Sequence, residues 1–273
     1  MLIGLTIEKY KGIEPSILLN FVRLLGVRFA EVTESIFEEL DAVKKAKKQV
    51  KLGIHLPIVE QDGYDFSCEA AGDRIDALIE NINANWRDLD VQYCLSHPPE
   101  NHVHPVEGPV SKEFLFENLK RLEPPVIIEN IPEVKGFQFA PFYAAAKAAL
   151  GEKLWGMCYD GPHAFLSRPD WLALYEEFRE EVRVIHLSDC SKTEDLHLPF
   201  GQGGEFPVRE MIERLKKDRY NGILNLELLP KSLRDVHPVI QSYLMFLKEF
   251  NPPKYIRDRL RVFFILPILK RFI

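Results

Sequence analysis

The chain has 273 residues, of which 46% are hydrophobic and 28% charged, and its formal net charge is −6. Those proportions exclude a disordered or fibrous chain, and the negative balance restricts any nucleic-acid footprint to a local patch. Four cysteines (Cys68, Cys94, Cys158, Cys190) without a C-x-x-C pair are too sparse for a disulfide scaffold and suit a reducing, cytoplasmic compartment.

The opening Met1-Leu2-Ile3-Gly4-Leu5-Thr6 has neither the basic segment nor the cleavage site of a signal peptide and reads as a buried strand. From there, short Val/Ile/Leu-rich runs alternate with segments of helical period. Strand Leu2–Thr6 precedes helix Pro15–Leu25, Val27–Thr33 precedes Ile36–Lys48, and Val50–Ile54 precedes Glu69–Asn85. Val91–Leu95 then leads to Ser111–Arg121, Pro125–Ile128 to Phe139–Leu150, and Leu154–Tyr159 to Pro169–Arg179. Val182–Leu187 with Pro207–Lys217, and Gly222–Leu228 with Pro238–Phe250, complete the series. Prolines near several helix starts suit the first turn, where a missing N–H costs nothing.

Eight strand–helix pairs without a long linker predict an α/β fold, a single (β/α)8 TIM barrel over residues 1–253. An open doubly wound sheet is the alternative, but no G-x-G-x-x-G follows the first strand. The remaining tail, 254–273, carries six basic residues (254, 257, 259, 261, 270, 271) against Asp258, around the apolar run Val262–Leu269. That run has eight residues and contains Pro267, well short of the roughly 20 a membrane span needs, so no membrane insertion is expected. The tail reads as a helix packed across the barrel or a dimer contact, with a membrane-surface or nucleic-acid-facing segment as the sharper alternative.

Metal-type side chains collect at the strand ends. His55 follows the third strand, His97 the fourth, and Glu129 ends the fifth. Asp160 and His163 follow the sixth, His186 ends the seventh, and Glu227 ends the eighth. In a barrel these ends form one rim, so six strands contribute to one mouth. Each residue alone would serve as a loop anchor; the set would be costly to bury unless something satisfied it, and divalent cations do so. Mixed His and carboxylate ligands suit zinc, with manganese or iron as alternatives. Downstream, Asp195 and His197 form an Asp-x-His pair, with Gly201-Gln202-Gly203 beginning four residues after the His. With His163 the pair would supply three ligands to another metal and leave a position open.

From the first strand to Glu227 these residues resemble the xylose-isomerase-like TIM barrel superfamily, and within it the endonuclease IV (AP endonuclease family 2) branch. The resemblance implies up to three zinc ions. His55, His97 and Glu129 would hold the first. Glu129 would bridge to a second completed by Asp160, His186 and Glu227, and His163, Asp195 and His197 would hold the third. Sugar isomerases of the fold often carry an Arg where His197 stands, and do not usually offer His at both the third and fourth strand ends. The chain departs from the branch in two places. Asp160-Gly161-Pro162-His163 stands where Asp-Thr-Cys-His is usual, and His186-Leu187-Ser188-Asp189 where His-x-Asn-Asp is usual.

The resemblance thus implies a metal-dependent phosphoester hydrolase in which a metal-bridged hydroxide attacks a phosphodiester, with abasic-site DNA the leading substrate and DNA repair the context. Glu129 and Glu227 would be the catalytic carboxylates. The alternative is a divalent-metal-dependent isomerase or epimerase of a small sugar or sugar phosphate, in which the same two glutamates of the Glu129/Asp160/His186/Glu227 quartet move a proton between adjacent carbons. A barrel that binds without turnover is a third class. Tyr64 stacks on a base or caps its loop, and Lys9, Lys11, Arg168 and Lys192 are candidate phosphate contacts. Cys94 and Cys158, inside strands, read as inert buried thiols.

Overall fold

The computed structural model describes residues 1–10, 12–229 and 236–269. Eight parallel strands pair in chain order and close, the last against the first. They are β1 (Leu2–Ile7), β2 (Phe29–Val32), β3 (Lys51–His55), β4 (Val91–Ser96), β5 (Val126–Glu129), β6 (Leu154–Asp160), β7 (Val182–Leu187) and β8 (Ile223–Leu226). The helices, in chain order, are α1 (Pro15–Leu25), α2 (Leu40–Lys47), α3 (Val59–Asp62), α4 (Gly72–Asn85), α5 (Lys112–Arg121) and α6 (Phe139–Leu150). They continue with α7 (Gly161–Ser167), α8 (Leu172–Phe178), α9 (Val208–Lys217), α10 (His237–Phe250) and α11 (Pro252–Leu269). The expected (β/α)8 barrel is the fold found.

Alternation along each strand sorts the side chains. Phe29, Tyr93, Leu95, Ile127, Cys158, Val184 and Ile223 meet inside the barrel, while the other parity packs outward against the helices. Gly53 makes room for the inner layer: a Cβ there would stand 2.6 Å from Cζ of Tyr93. Two residues further along each strand, the inward parity reaches the rim. Gly53 leads to His55, Leu95 to His97, Ile127 to Glu129, Cys158 to Asp160, Val184 to His186 and Asn225 to Glu227. The pairing Asp160↔His186 holds two of these ends side by side.

Three local features differ from the sequence reading. His163 lies in a helix, α7, which the sequence reading did not include; the Asp160 carboxylate caps it, accepting from the His163 N–H at 2.6 Å, and Pro162 sits in its first turn. The second and third predicted helices each begin with a turn of 3-10 helix, Glu34–Glu39 and Glu69–Ala71. The sixth shortens to α8, its start at Pro169 being left outside the helix.

The tail is helical from Pro252 and packs on α1 and α10. Asp258 is fully buried there, bound by Lys254 and facing the Tyr243 hydroxyl at 3.4 Å, and Val262 and Leu266 join the core. Pro267 lies within the final turn of α11 and does not end it. Lys11, Lys270 and Arg271 fall outside the described residues.

Candidate metal centre

The rim brings most of the sequence-selected residues together in two tight groups and sets the remaining trio beside them. His55, His97 and Glu129 form one, with a ligand atom from each within 4.8 Å of the others; Glu129, Asp160, His186 and Glu227 form a second on the same measure. Nε2 of His55 and of His97 stand 4.0 and 3.6 Å from Oε2 of Glu129. His186 Nδ1 lies 3.2 Å from that oxygen and 3.4 Å from Oε1 of Glu227, so Glu129 stands between the two groups. The trio His163, Asp195 and His197 is not brought together on the 4.8 Å measure; among the described residues its two imidazoles meet only through Asp195. Asp195 Oδ2 lies 3.0 Å from Nε2 of His163 and 3.4 Å from Nε2 of His197, and Nδ1 of His197 is 3.8 Å from Glu227. His197 takes this place with φ of 45°, a left-handed conformation in which a non-glycine residue is strained.

Four of the five rim imidazoles, those of His55, His97, His163 and His186, have one nitrogen held by the protein, which fixes the ring and leaves the other nitrogen free to face the site. His55 Nδ1 donates to the Leu56 carbonyl at 2.8 Å, His163 Nδ1 to the Asn130 carbonyl at 2.8 Å, and His97 Nδ1 to the Glu100 carboxylate. Asn130 also braces the next strand end, its side chain bonding both the N–H and the carbonyl of Asp160 at 2.9 Å.

Metal fit is tested by the atoms left over. Both carboxylate oxygens of Glu129, Nε2 of His97, Nδ1 of His186, Oδ1 of Asp195 and Nδ1 of His197 are buried without a hydrogen-bond partner. Buried polar atoms without partners are costly, and six of them converge on one rim, where a ligand that accepts lone pairs would satisfy them. Imidazole nitrogen and carboxylate oxygen are the donors a divalent cation such as zinc takes, so the residues fit the group.

The ionisation of the cluster is mutually arranged. Burial opposes the charge on Glu129, but His186 and His97 beside it hold its carboxyl well below the usual range. Glu227, half-buried at the rim, is drawn down to about 2 against burial, chiefly by His186. Asp160 moves the other way, up to about 7, through burial and the neighbouring charges of Glu129, Asp195 and Glu227. Burial pushes His97 down, yet Glu129 and Glu100 outweigh it and raise the imidazole to about 10. His163, His186 and His197 are raised against burial by their carboxylate neighbours as well.

The structure adds residues that the sequence reading missed. Glu31 is fully buried, accepts from the Tyr93 hydroxyl at 2.6 Å, and lies 3.2 Å from Nε2 of His186. With His55 and Glu227 it forms a further metal-competent group. Glu8 also lines the mouth, its carboxyl pushed up by burial and by Glu227. Both share the inward parity of their strands, Glu31 two residues after Phe29 and Glu8 two after Thr6, and that was the available signal. Cys158 stands beside Glu129 and His186, but burial raises its thiol well above the usual range, in keeping with an inert core residue.

The mouth opens into a cleft of about 1170 Å³. Its walls include Glu8, Glu34, Glu60, Asp62, Glu133 and Glu194; among the described lining residues Lys192 is the one Lys or Arg, and it pairs with Glu205 at 3.6 Å. Lys9 pairs with Glu38 at 3.0 Å and Arg168 with Glu133 at 2.7 Å. Tyr64 is buried, donates to Glu34 at 2.7 Å and lies under the Arg74 guanidinium, so it caps its loop and offers no free ring face to a base.

Comparison with known proteins agrees with this architecture. No curated protein sequence matches the chain. Among solved structures it is similar to an AP endonuclease, family 2, from Brucella melitensis (11% identity, TM-score 0.63, covering 88% of this chain and 98% of that one). It is similar also to endonuclease IV from Thermus thermophilus (17% identity, TM-score 0.61, covering 91% and 100%). A D-allulose 3-epimerase from Methylomonas sp. is likewise similar (12% identity, TM-score 0.62, covering 90% and 89%). These likenesses establish the fold; they divide between endonucleases and sugar epimerases. The family model for the xylose isomerase-like TIM barrel matches residues 87–263, most of the chain, and the chain belongs to that family.

Proposed function

We propose that the chain is a metal-dependent phosphoester hydrolase. The observation that carries this reading is the trio His163, Asp195 and His197, joined through Asp195 Oδ2 and set beside the quartet. Proton transfer between two carbons needs only the quartet, whereas stabilising both oxygens of a displacement at phosphorus uses more than one cation. His55, His97 and Glu129 would hold one zinc ion, Glu129, Asp160, His186 and Glu227 a second, and His163, Asp195 and His197 a third. Bound there, divalent cations lower the pKa of water and neutralise phosphoryl oxygens.

The chain's own contribution is positional. Glu100, Asn130 and the Leu56 carbonyl fix three imidazoles, and Glu31 fixes the fourth at the floor of the rim. Glu129 and Glu227, which share a metal-competent group with Asp160 and His186, would be the catalytic carboxylates. Abasic-site DNA is the phosphodiester this reading names first.

One observation favours a second reading. Among the described residues the mouth is acidic with one lysine, itself paired, a lining poorly suited to a long polyanion, which needs Lys and Arg to displace counterions. A sugar or sugar phosphate isomerised or epimerised at the quartet makes no such demand. Metal content after zinc reconstitution, together with cleavage of an abasic-site oligonucleotide, decides between them. The hydrolase reading expects close to three zinc ions per chain and strand cleavage. One ion per chain with turnover of a ketose overturns it.

A further inference from the structure

Helix α11 has two apolar faces. Asp258, Val262 and Leu266, spaced i, i+4, i+8, are buried on the side toward α1 and α10. Ile256, Leu260, Phe263, Phe264 and Pro267, at i, i+4, i+7, i+8 and i+11, form a stripe on the opposite side at 3.6 residues per turn. The four large side chains of that stripe are 60%, 55%, 71% and 65% exposed, and they include the two most exposed aromatic rings among the described large hydrophobics. Scattered exposed apolar residues are ordinary, but a continuous stripe on one helix is not.

The flanks identify what it meets. At 100° per residue Arg257 projects just beyond one edge of the stripe and Arg259 beyond the other. The Arg257 side chain is 56% exposed, although its guanidinium touches Asp258, and Arg259 bonds only the Tyr255 hydroxyl of its own helix among the described contacts. Within 254–269 the charges are Lys254, Arg257, Arg259 and Arg261 against Asp258, in a chain that is acidic overall. Two copies packed stripe to stripe would set these arginines against each other, whereas a layer of anionic headgroups meets them with opposite charge and takes up the phenyl rings. The helix is not long and apolar enough to cross a membrane.

We infer that α11 is an interfacial helix that docks the barrel on an anionic bilayer surface, with Phe263 and Phe264 entering the headgroup–acyl boundary and Arg257 and Arg259 contacting lipid phosphates. Co-sedimentation of the full chain with phosphatidylcholine vesicles, with and without phosphatidylserine, tests it. Binding should require phosphatidylserine, weaken with salt, fall on the order of a hundredfold in the double variant Phe263→Ser, Phe264→Ser, and fall on the order of tenfold in Arg259→Glu. Thermal unfolding of both variants should match the parent, because these side chains face solvent. Absence of binding to either vesicle overturns the inference. So does a parent chain that sediments as a dimer and becomes monomeric in the double variant, which would make the stripe a self-association surface.

Discussion

Zinc binding to the metal-free protein should displace protons, and the structure says how strongly they compete. An imidazole binds metal only when neutral. His97 is raised to about 10 by Glu129 and Glu100, so at pH 7 the proton must be removed against about three pH units. That competition weakens zinc at the His55/His97/Glu129 group by roughly a thousandfold at pH 7 relative to pH 10. His163, His186 and His197 are raised too and act in the same direction. Affinity should therefore climb with pH, by about one logarithmic unit per pH unit for each imidazole displaced. Isothermal titration in buffers of different ionisation enthalpy reads the proton count directly. Proton release of about one per loaded histidine is expected. Zinc affinity that is flat with pH and releases no protons would refute the assignment of these imidazoles as ligands.

Further outcomes follow from the same geometry. His197→Ala should lose one zinc per chain and lower phosphoester cleavage by at least about a hundredfold, since metal-assisted displacement loses one of its charge-stabilising ions; retained cleavage at reduced zinc content would remove the trio from the mechanism. Glu31→Gln keeps the shape but removes the charge facing His186 and Tyr93, and should weaken zinc by about 10–100-fold in a chelator competition without unfolding the chain. In the metal-free chain, His97 contributes stability fully below its ordinary 6.5 and loses it as pH rises toward about 10; Glu227 contributes above its ordinary 4.5 and loses it as pH falls toward about 2. Denaturation midpoints should fall at both ends of that range, and a flat profile contradicts the coupling. Asp258→Ala leaves Lys254 without its buried partner and should cost about 3 kcal/mol, read by chemical denaturation.

The barrel was legible because both periods are written plainly: apolar runs of strand length, then helical repeats opened by proline. Strand parity made most of the rim legible as well, since His55, Glu129 and His186 each follow an inward core residue by two. Glu31 escaped because it lies inside an apolar run, Val27–Thr33, where a charge reads as an interruption rather than as a ligand. Its meaning depends on Tyr93 from two strands away, a contact no local pattern contains. Helix α7 escaped for a different reason. Asp-Gly-Pro is a turn signal in isolation, and only the Asp160 cap on the His163 N–H turns the same residues into a helix start.

What separates the two chemistries is the number of lone pairs left to satisfy. Glu129 stands in both the first group and the quartet, so it serves a hydrolase and an isomerase alike. A single cation in the quartet would engage Glu129 and His186 Nδ1. His97 Nε2 and His197 Nδ1 would remain buried without partners, each at a cost of about 1–3 kcal/mol. On the hydrolase reading proposed above, additional cations are the ligands these donors would take. The acid-lined mouth then acts on the other half of the problem. With the described basic groups at Lys9, Arg168 and Lys192 already paired, the hydrolase reading proposed above places phosphate recognition, among the described residues, at the rim itself.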